Sequence, residues 1–277
     1  MAGKHLGHHV DYPKHYDPLV LVPIPRAHNR GALGLSADAL PFTGADVWNA
    51  FELSWLSWQG QPHVARGRFV VPCTSPNIIE SKSLKLYLNS LNQHRFTDLD
   101  EAAATIKADL SAAAGADVDV VIQSFGGMQE VLEVPDGSCL DELDLACEHF
   151  EVLPALLRLA DTDNLFEALV EEVLYTDVFR SLCPVTGQPD WATVVICYHG
   201  PGIEHASLLR YLVSYREHRD FHENCVERIY CDILQYCRPQ SLSVEANFLR
   251  RGGLDINPVR ASDESVNYML LPRYNRQ

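Results

Sequence analysis

The chain has 277 residues, 37 acidic and 22 basic side chains, a formal net charge of −15 and 47% apolar residues. That length allows one large domain or two moderate ones, and that charge excludes a nucleic-acid backbone as principal partner, which needs clustered Lys and Arg. No apolar run reaches the roughly 18 residues of a membrane span. Eight irregularly spaced cysteines are expected to be reduced thiols in the cytoplasm rather than a disulfide framework.

In chain order, Met1 to Asp17 is His-rich and polar and lacks the apolar core of a signal peptide. Leu19 to Pro25 is apolar but broken by proline, which predicts an edge strand or an extended strap. Asp46 to Ser57 and His63 to Cys73 are rich in β-branched, aromatic and alternating residues. Gly60-Gln61-Pro62 between them completes the pattern of a hairpin. A helix is expected from about Ile79 to Leu91, and another from Leu99 to Ala114, opened by Thr97/Asp98 and closed by Gly115. Asp117 to Ser124 reads as a strand. The acidic stretch Glu130 to Glu151, with Pro135 and Gly137, is taken as the boundary between a module over 1–150 and one over 151–277. Val173 to Leu182 and Trp191 to His199 are then strands, Glu204 to Tyr215 and Phe221 to Cys237 helices. Leu242 to Leu249 is a final strand leading into Arg250-Arg251-Gly252-Gly253.

The order strand, strand, helix, helix, strand occurs twice, and so does a motif. Glu80-Ser-Lys-Ser-Leu-Lys-Leu-Tyr-Leu-Asn-Ser90 aligns with Glu204-His-Ala-Ser-Leu-Leu-Arg-Tyr-Leu-Val-Ser214, each following a Gly-Gln-Pro. An internal repeat predicts two copies of one structural unit. Each unit is expected to be an antiparallel sheet with a helix pair on one face, an α+β fold. The copies differ in chemistry. Cys183, Asp190, His222 and Glu223 of the second align with Leu56, His63, Asp98 and Leu99 of the first, whereas Lys82 and Lys85 of the first become Ala206 and Leu209. Nucleophile-type residues in one copy and phosphate-type cations in the other predict a composite site at the boundary between the modules.

Each candidate also has an ordinary structural reading. Cys183 and Asp190 flank a six-residue segment that brings thiol and carboxyl near one point if it is a hairpin loop. A thiolate attacks electrophilic carbon and a neighbouring carboxylic acid donates a proton. For a bare Cys-x6-Asp, a buried Cys beside a turn Asp is the commoner arrangement, so the pair alone is a weak signal. Asp220 and Glu223 have the spacing of a capping box. His218, His222 and Cys225 share a helix face as metal ligands would, but no second ligand cluster accompanies them, and capping is preferred to zinc. Glu80 lies one turn before Leu84, Tyr87 and Leu88, on their face, and is expected to point toward the sheet. Lys82 and Lys85 lie off that face, in solvent or against a phosphate. Arg250-Arg251-Gly252-Gly253 is a surface turn or an anion clamp. Gly200-Pro201-Gly202 does not complete a dinucleotide fingerprint, and no Walker A or G-x-S-x-G sequence occurs.

Glu80-Ser81-Lys82-Ser83-Leu84-Lys85-Leu86-Tyr87 resembles the signature of the NADPH-dependent 7-cyano-7-deazaguanine reductases, the nitrile reductases of queuosine biosynthesis. So do Leu40 to Asp46, Cys183 to Asp190, Phe221-His222-Glu223, Cys225 to Ile229 and Arg250 to Pro258. The likeness spans nearly the whole chain and resembles the long, bimodular form. It implies two tandem tunnelling-fold (T-fold) units. It also implies reduction of the nitrile to an aminomethyl group with two NADPH per turnover, no metal and a homodimer. Catalytic roles would fall to Cys183, as nucleophile, and to Asp190, which supplies the proton and helps deprotonate the thiol. Ile79, Glu80, Ser81, His222 and Glu223 would bind the substrate base; Ser81, Lys82, Arg251 and Gly252 would hold NADPH. The other readings are a tunnelling-fold pterin or purine enzyme, such as a cyclohydrolase or pyruvoyl-tetrahydropterin synthase, and a non-catalytic purine-binding module.

Overall fold

The computed structural model describes residues 12–125, 132–160, 169–263, 268, 271–274, 276 and 277. The fold is α+β. In the first half β1 (Pro23–Pro25) precedes α1 (Ala27–Ala32), the long hairpin of β2 (Thr43–Ser57) and β3 (Pro62–Pro72), and β4 (Asn77–Ile79). These are followed by α2 (Ser81–Ser90), β5 (Arg95–Phe96), α3 (Leu99–Ala114) and β6 (Asp119–Ser124). The second half has β7 (Ser138–Cys139), the hairpin of β8 (Val170–Leu182) and β9 (Pro189–Gly200), α4 (His205–Val213) and α5 (His222–Cys237). It ends with β10 (Ser241–Phe248) and β11 (Leu254–Ala261).

Most elements lie within a few residues of their expected positions, because their signals are local. Asp98 caps α3 by accepting from the Glu101 amide, and Gly115 closes it at φ 73°, the left-handed conformation that glycine adopts without strain. Leu19 to Pro25 becomes a one-turn 3-10 helix followed by β1, which pairs with β4. One correction concerns the end of the chain. Leu242 to Leu249 is not the last strand, because β11 follows it and pairs with both β10 and β2. The proline of β11 explains the omission. Leu254-Asp255-Ile256-Asn257 alternates, but Pro258 cuts the run and ordinarily argues against a central strand, whereas here every residue from Leu254 to Ala261 is buried between two neighbours.

β11 joins the halves into one sheet in the order β6-β3-β2-β11-β10-β9-β8-β7, with β5 pairing in parallel beside β2. Each half keeps its own core beneath its helices. Trp48, Phe69, Leu84, Tyr87 and Ile106 form one, to which β11 adds Leu254 and Ile256. Phe179, Ile196, Leu208, Tyr211, Ile229 and Phe248 belong to the other.

The repeat extends to individual hydrogen bonds. Both long hairpins carry a register shift in their first strand, at Ala50/Leu53 and at Thr176/Phe179. A strap crosses each first helix. Val22 N donates to Ser83 Oγ at 3.0 Å, as Arg158 N does to Ser207 Oγ at 3.1 Å. Asp17 N reaches Ser90 Oγ at 3.2 Å, and Leu153 N reaches Ser214 Oγ at 3.3 Å. Tyr87 donates to Asp109 and Tyr211 to Asp232, each at 2.6 Å. The recurring Ser and Tyr of the motif are therefore strap and helix-pair contacts, and the recurring Leu84/Leu208 and Leu88/Leu212 are buried.

Behind the seam between β2 and β11 lies a buried ion network. Arg260 Nη2 is 2.8 Å from both Asp46 Oδ1 and Glu227 Oε1, Arg30 Nη2 is 2.6 Å from Glu227 Oε1, and Arg26 pairs with Asp46. Burial alone would raise the pKa of both carboxyls, but the guanidinium groups outweigh it and hold them below the ordinary range. The network fixes α5 of the second half against strands and loops of the first.

Candidate active site

The ladder of the second hairpin positions the thiol and the carboxyl. Ser181 faces Asp190 across β8 and β9, Leu182 faces Pro189, and Cys183 N donates to Gln188 O at 2.9 Å. Facing residues share a side of the sheet and alternate residues return to it, so Cys183, Gln188 and Asp190 project together. The segment before α5 joins this ladder: Leu182 N donates to His218 O, and Asp220 N to Leu182 O. That places His222 and Glu223, in the first turn of α5, beside the loop. Leu249 N donates to Trp191 O, extending the β9–β10 pairing. A tight turn at Arg251–Leu254, with Gly252 and Gly253 at φ 59° and 79°, leads into β11 and brings Arg251 over Asp190.

These residues surround a cavity of about 320 Å³. The second half contributes Cys183, Gln188, Asp190, His222, Glu223, Arg251 and Gly252. The first half contributes Trp48, Ile79, Ser81, Lys82 and Lys85, and Tyr12 stands at the edge. Every residue expected at the site except Glu80 lines this cavity, and both halves build it. Glu80 is fully buried beneath the wall and caps α2, its two oxygens accepting from Lys82 N at 2.9 Å and Ser83 N at 2.8 Å. Its carboxylate thus occupies the first amides of α2, so attraction for an anion there must come from side-chain cations.

The capping reading of α5 is corrected. Phe221 is the N-cap residue and makes no side-chain cap bond, and Asp220 instead accepts from Phe221 N and Asn224 Nδ2. Glu223 turns into the cavity, 2% exposed. Burial, then the charge of Asp46, pushes its carboxyl up to about 8 despite Arg26 and Arg260. Asp190 behaves oppositely. Burial would raise its pKa too, but His222, with Nε2 3.4 Å from Oδ2, and Arg251, bonded to Oδ1, hold it below the usual carboxylate range. His222 is stacked flat on Phe248, ring centroids 3.7 Å apart and planes within 4°. Among the described residues, no group of three or more His, Cys, Asp or Glu is arranged to hold a metal ion.

The site therefore presents a thiol, a carboxylate held ionised, a buried carboxyl whose proton affinity is raised, and the cations Lys82, Lys85 and Arg251 around one cavity. Residues 12–122 match the family model described as "Nitrile reductase, 7-cyano-7-deazaguanine-reductase N-term", and residues 189–267 match that of "QueF-like protein". The NADPH-dependent 7-cyano-7-deazaguanine reductase of Azoarcus sp. (strain BH72) is 51% identical, over 93% of this chain and 90% of the relative. The proteins of the same name from Dechloromonas aromatica (strain RCB) and Burkholderia ambifaria (strain AMMD) are 50% and 53% identical. They match over 94% and 93% of this chain and 90% and 92% of their own lengths. The chain belongs to the 7-cyano-7-deazaguanine reductase family.

For a member of this family, several wall residues had weak sequence signals. Lys85 stood out as a motif cation, and Gln188 belonged to a repeated turn tripeptide. Trp48 and Tyr12 had none, because an aromatic in a strand or a leading segment reads as core or surface until the tertiary contacts are known. All eight cysteines are free thiols. Among the described residues no helix is long and apolar enough to cross a membrane.

Proposed function

We infer that this chain reduces the nitrile of 7-cyano-7-deazaguanine to the aminomethyl base at the expense of two NADPH, in tRNA queuosine biosynthesis. The observation that carries this reading is the meeting of Cys183, Asp190 and Glu223 in one cavity with three cations on its wall. Glu223 anchors the base, since an ionised carboxylate accepts from adjacent ring and exocyclic N–H donors. His222, Ile79 and Ser81 line the cavity around the base. Glu80 acts from behind that wall, holding the start of α2 and hence Ser81 and Lys82.

Asp190, being ionised, first takes the proton of the Cys183 thiol. Sulfur then bonds to the nitrile carbon as one C–N π bond opens, and the proton returns from Asp190 to nitrogen, giving a thioimidate with no net change of charge. Asp190 thereby takes both expected parts, deprotonating the thiol and then supplying the proton. NADPH supplies a hydride at each of two later stages, and each also consumes one proton. The group fits the wall. Ser81, Lys82, Arg251 and Gly252 would hold it, joined by Lys85, whose Nζ lies 2.7 Å from where a Cβ on Gly252 would stand, and the left-handed φ of 59° at Gly252 suits glycine.

Two tandem tunnelling-fold units, divided near residue 150, account for the repeated strap, hairpin and helix pair, and a cytoplasmic homodimer completes the reading. Light scattering of the purified protein tests the dimer. Intact mass with the cyano base and no NADPH tests the mechanism. Wild type should gain the mass of the base and Cys183→Ala should not. NADPH consumption by Cys183→Ala would overturn the covalent route.

A further inference from the structure

One contact at this site serves two parties. Arg251 is the guanidinium that would meet an anionic reductant, yet in the structure it bonds Asp190 Oδ1 and reaches Gln188 Oε1 at 2.9 Å. It cannot pair fully with a phosphate and with Asp190 in this geometry. Its side chain is 27% exposed, whereas that of Asp190 is 2% exposed, so the cation has room to move and the carboxylate does not. The turn behind it is closed by backbone hydrogen bonds, Arg251 N to Leu254 O at 2.8 Å and Leu254 N to Arg251 O at 3.3 Å, so the movement belongs to the side chain.

We propose that Arg251 is a positioning residue that couples the arrival of the reductant's phosphates to the proton on Asp190. It neutralises the carboxylate while the reductant is absent and leaves it for phosphate when the reductant binds. The inference rests on the function proposed above. The other groups around Asp190 are His222, with Cys225 and Glu223 further along α5, and Cys183 and Gln188 of its own hairpin. Once Arg251 leaves, His222 is the cation partner that remains, and the carboxyl holds a proton more readily. Before reductant arrives an ionised Asp190 is ready to accept the thiol's proton. Afterwards Asp190, reprotonated from solvent before each stage, can give one proton to nitrogen as each hydride is delivered. A single arginine thus switches one carboxyl from base to acid in the order the chemistry needs.

The test follows thioimidate formation against pH without NADPH, in wild type, Arg251→Gln and Arg251→Lys. Adduct formation requires ionised Asp190. With the base kept saturating at every pH, so that the binding step governed by Glu223 drops out, the acid limb reports Asp190, and His222 and Glu223 are common to every arm. Removing a neighbouring opposite charge should move the limb of Arg251→Gln upward by about one pH unit, while Arg251→Lys keeps most of the wild-type profile. Saturating 2′-phospho-ADP-ribose, which has the phosphates without the nicotinamide, should move the wild-type limb the same way. That arm needs no substitution and so decides even if a variant folds poorly. A limb unmoved by Arg251→Gln in a folded variant, or unmoved by the fragment, overturns the proposal. Absence of any adduct in wild type would instead overturn the function on which it rests.

Discussion

The two halves share a frame and divide the chemistry. Each has a strap clipped to a helix by two serines, a tyrosine joined to an aspartate of the next helix, and a long bulged hairpin. At the site they part. In the first half the ladder makes Ser57, not the Leu56 expected from the sequence alignment, the counterpart of Cys183. Leu56 pairs with Pro62 as Leu182 does with Pro189, and Ser57 N donates to Gln61 O at 2.8 Å as Cys183 N does to Gln188 O. His63 stacks on Trp55 at 5.8 Å. In the second, the equivalents are Cys183 and Asp190 on a cavity wall. Glu80 caps its helix with both oxygens, while Glu204 makes no cap bond. Duplicating the frame preserved the packing, and each copy could then lose the groups that the other supplies, because one cavity draws on both.

The comparison is broken most severely if the two hairpins prove interchangeable. Asp190→Asn should lower turnover by about 10²–10⁴-fold, the range for loss of a positioned acid–base group. His63→Ala, at the aligned position, should leave turnover nearly unchanged; equal losses would mean that both hairpins carry chemistry. NADPH oxidation under excess base measures both.

The next effect is in pH. Glu223, raised to about 8, must be ionised to accept from the base, so a proton competes with the ligand below that pH. In a Cys183→Ala background, where no bond to sulfur forms, affinity for the base should fall by about tenfold per pH unit below 8 and level off above it. Calorimetry in buffers of different ionisation heat should show proton release on binding. An affinity flat from pH 6 to 8 would contradict the assignment.

Smaller effects test the shared frame. Tyr87→Phe and Tyr211→Phe each remove a donor from a helix-pair aspartate and should each destabilise by about 1–3 kcal/mol in denaturant unfolding, with turnover kept. The Asp109 loss should be the milder, since Tyr16 also donates to it at 2.8 Å. Glu80→Ala should cost about 1 kcal/mol as a lost N-cap and Glu204→Ala a few tenths at most. Equal costs would show that the two glutamates have not diverged.

Much of this was legible in the chain. Helix α3 follows from its cap and its terminal glycine, the hairpins from alternation around Gly-Gln-Pro, and the duplication from a recurring eleven-residue motif. These signals are local, and local physics decides them wherever a strand keeps one wet face or a helix needs a cap. The identities of Cys183, Asp190, His222 and Glu223 as candidates were also legible, since their loss from the other copy marked them.

Only the tertiary structure decided the rest. β11 carries Pro258 in its middle, which argues against a central strand, yet it joins the halves and places Leu254 and Ile256 at the cavity. Glu223 had the spacing of a capping residue, but the fold buries it, and that burial together with the charge of Asp46 raises its proton affinity against the opposing charges of Arg26 and Arg260. Asp190 could be named from the sequence, but its charge state depends on His222 and Arg251, which lie 32 and 61 residues along the chain (222 − 190 and 251 − 190). Spacing in a sequence prescribes shape over a turn or a hairpin, whereas the energy of a buried charge is set by whatever the fold brings within a few ångströms of it.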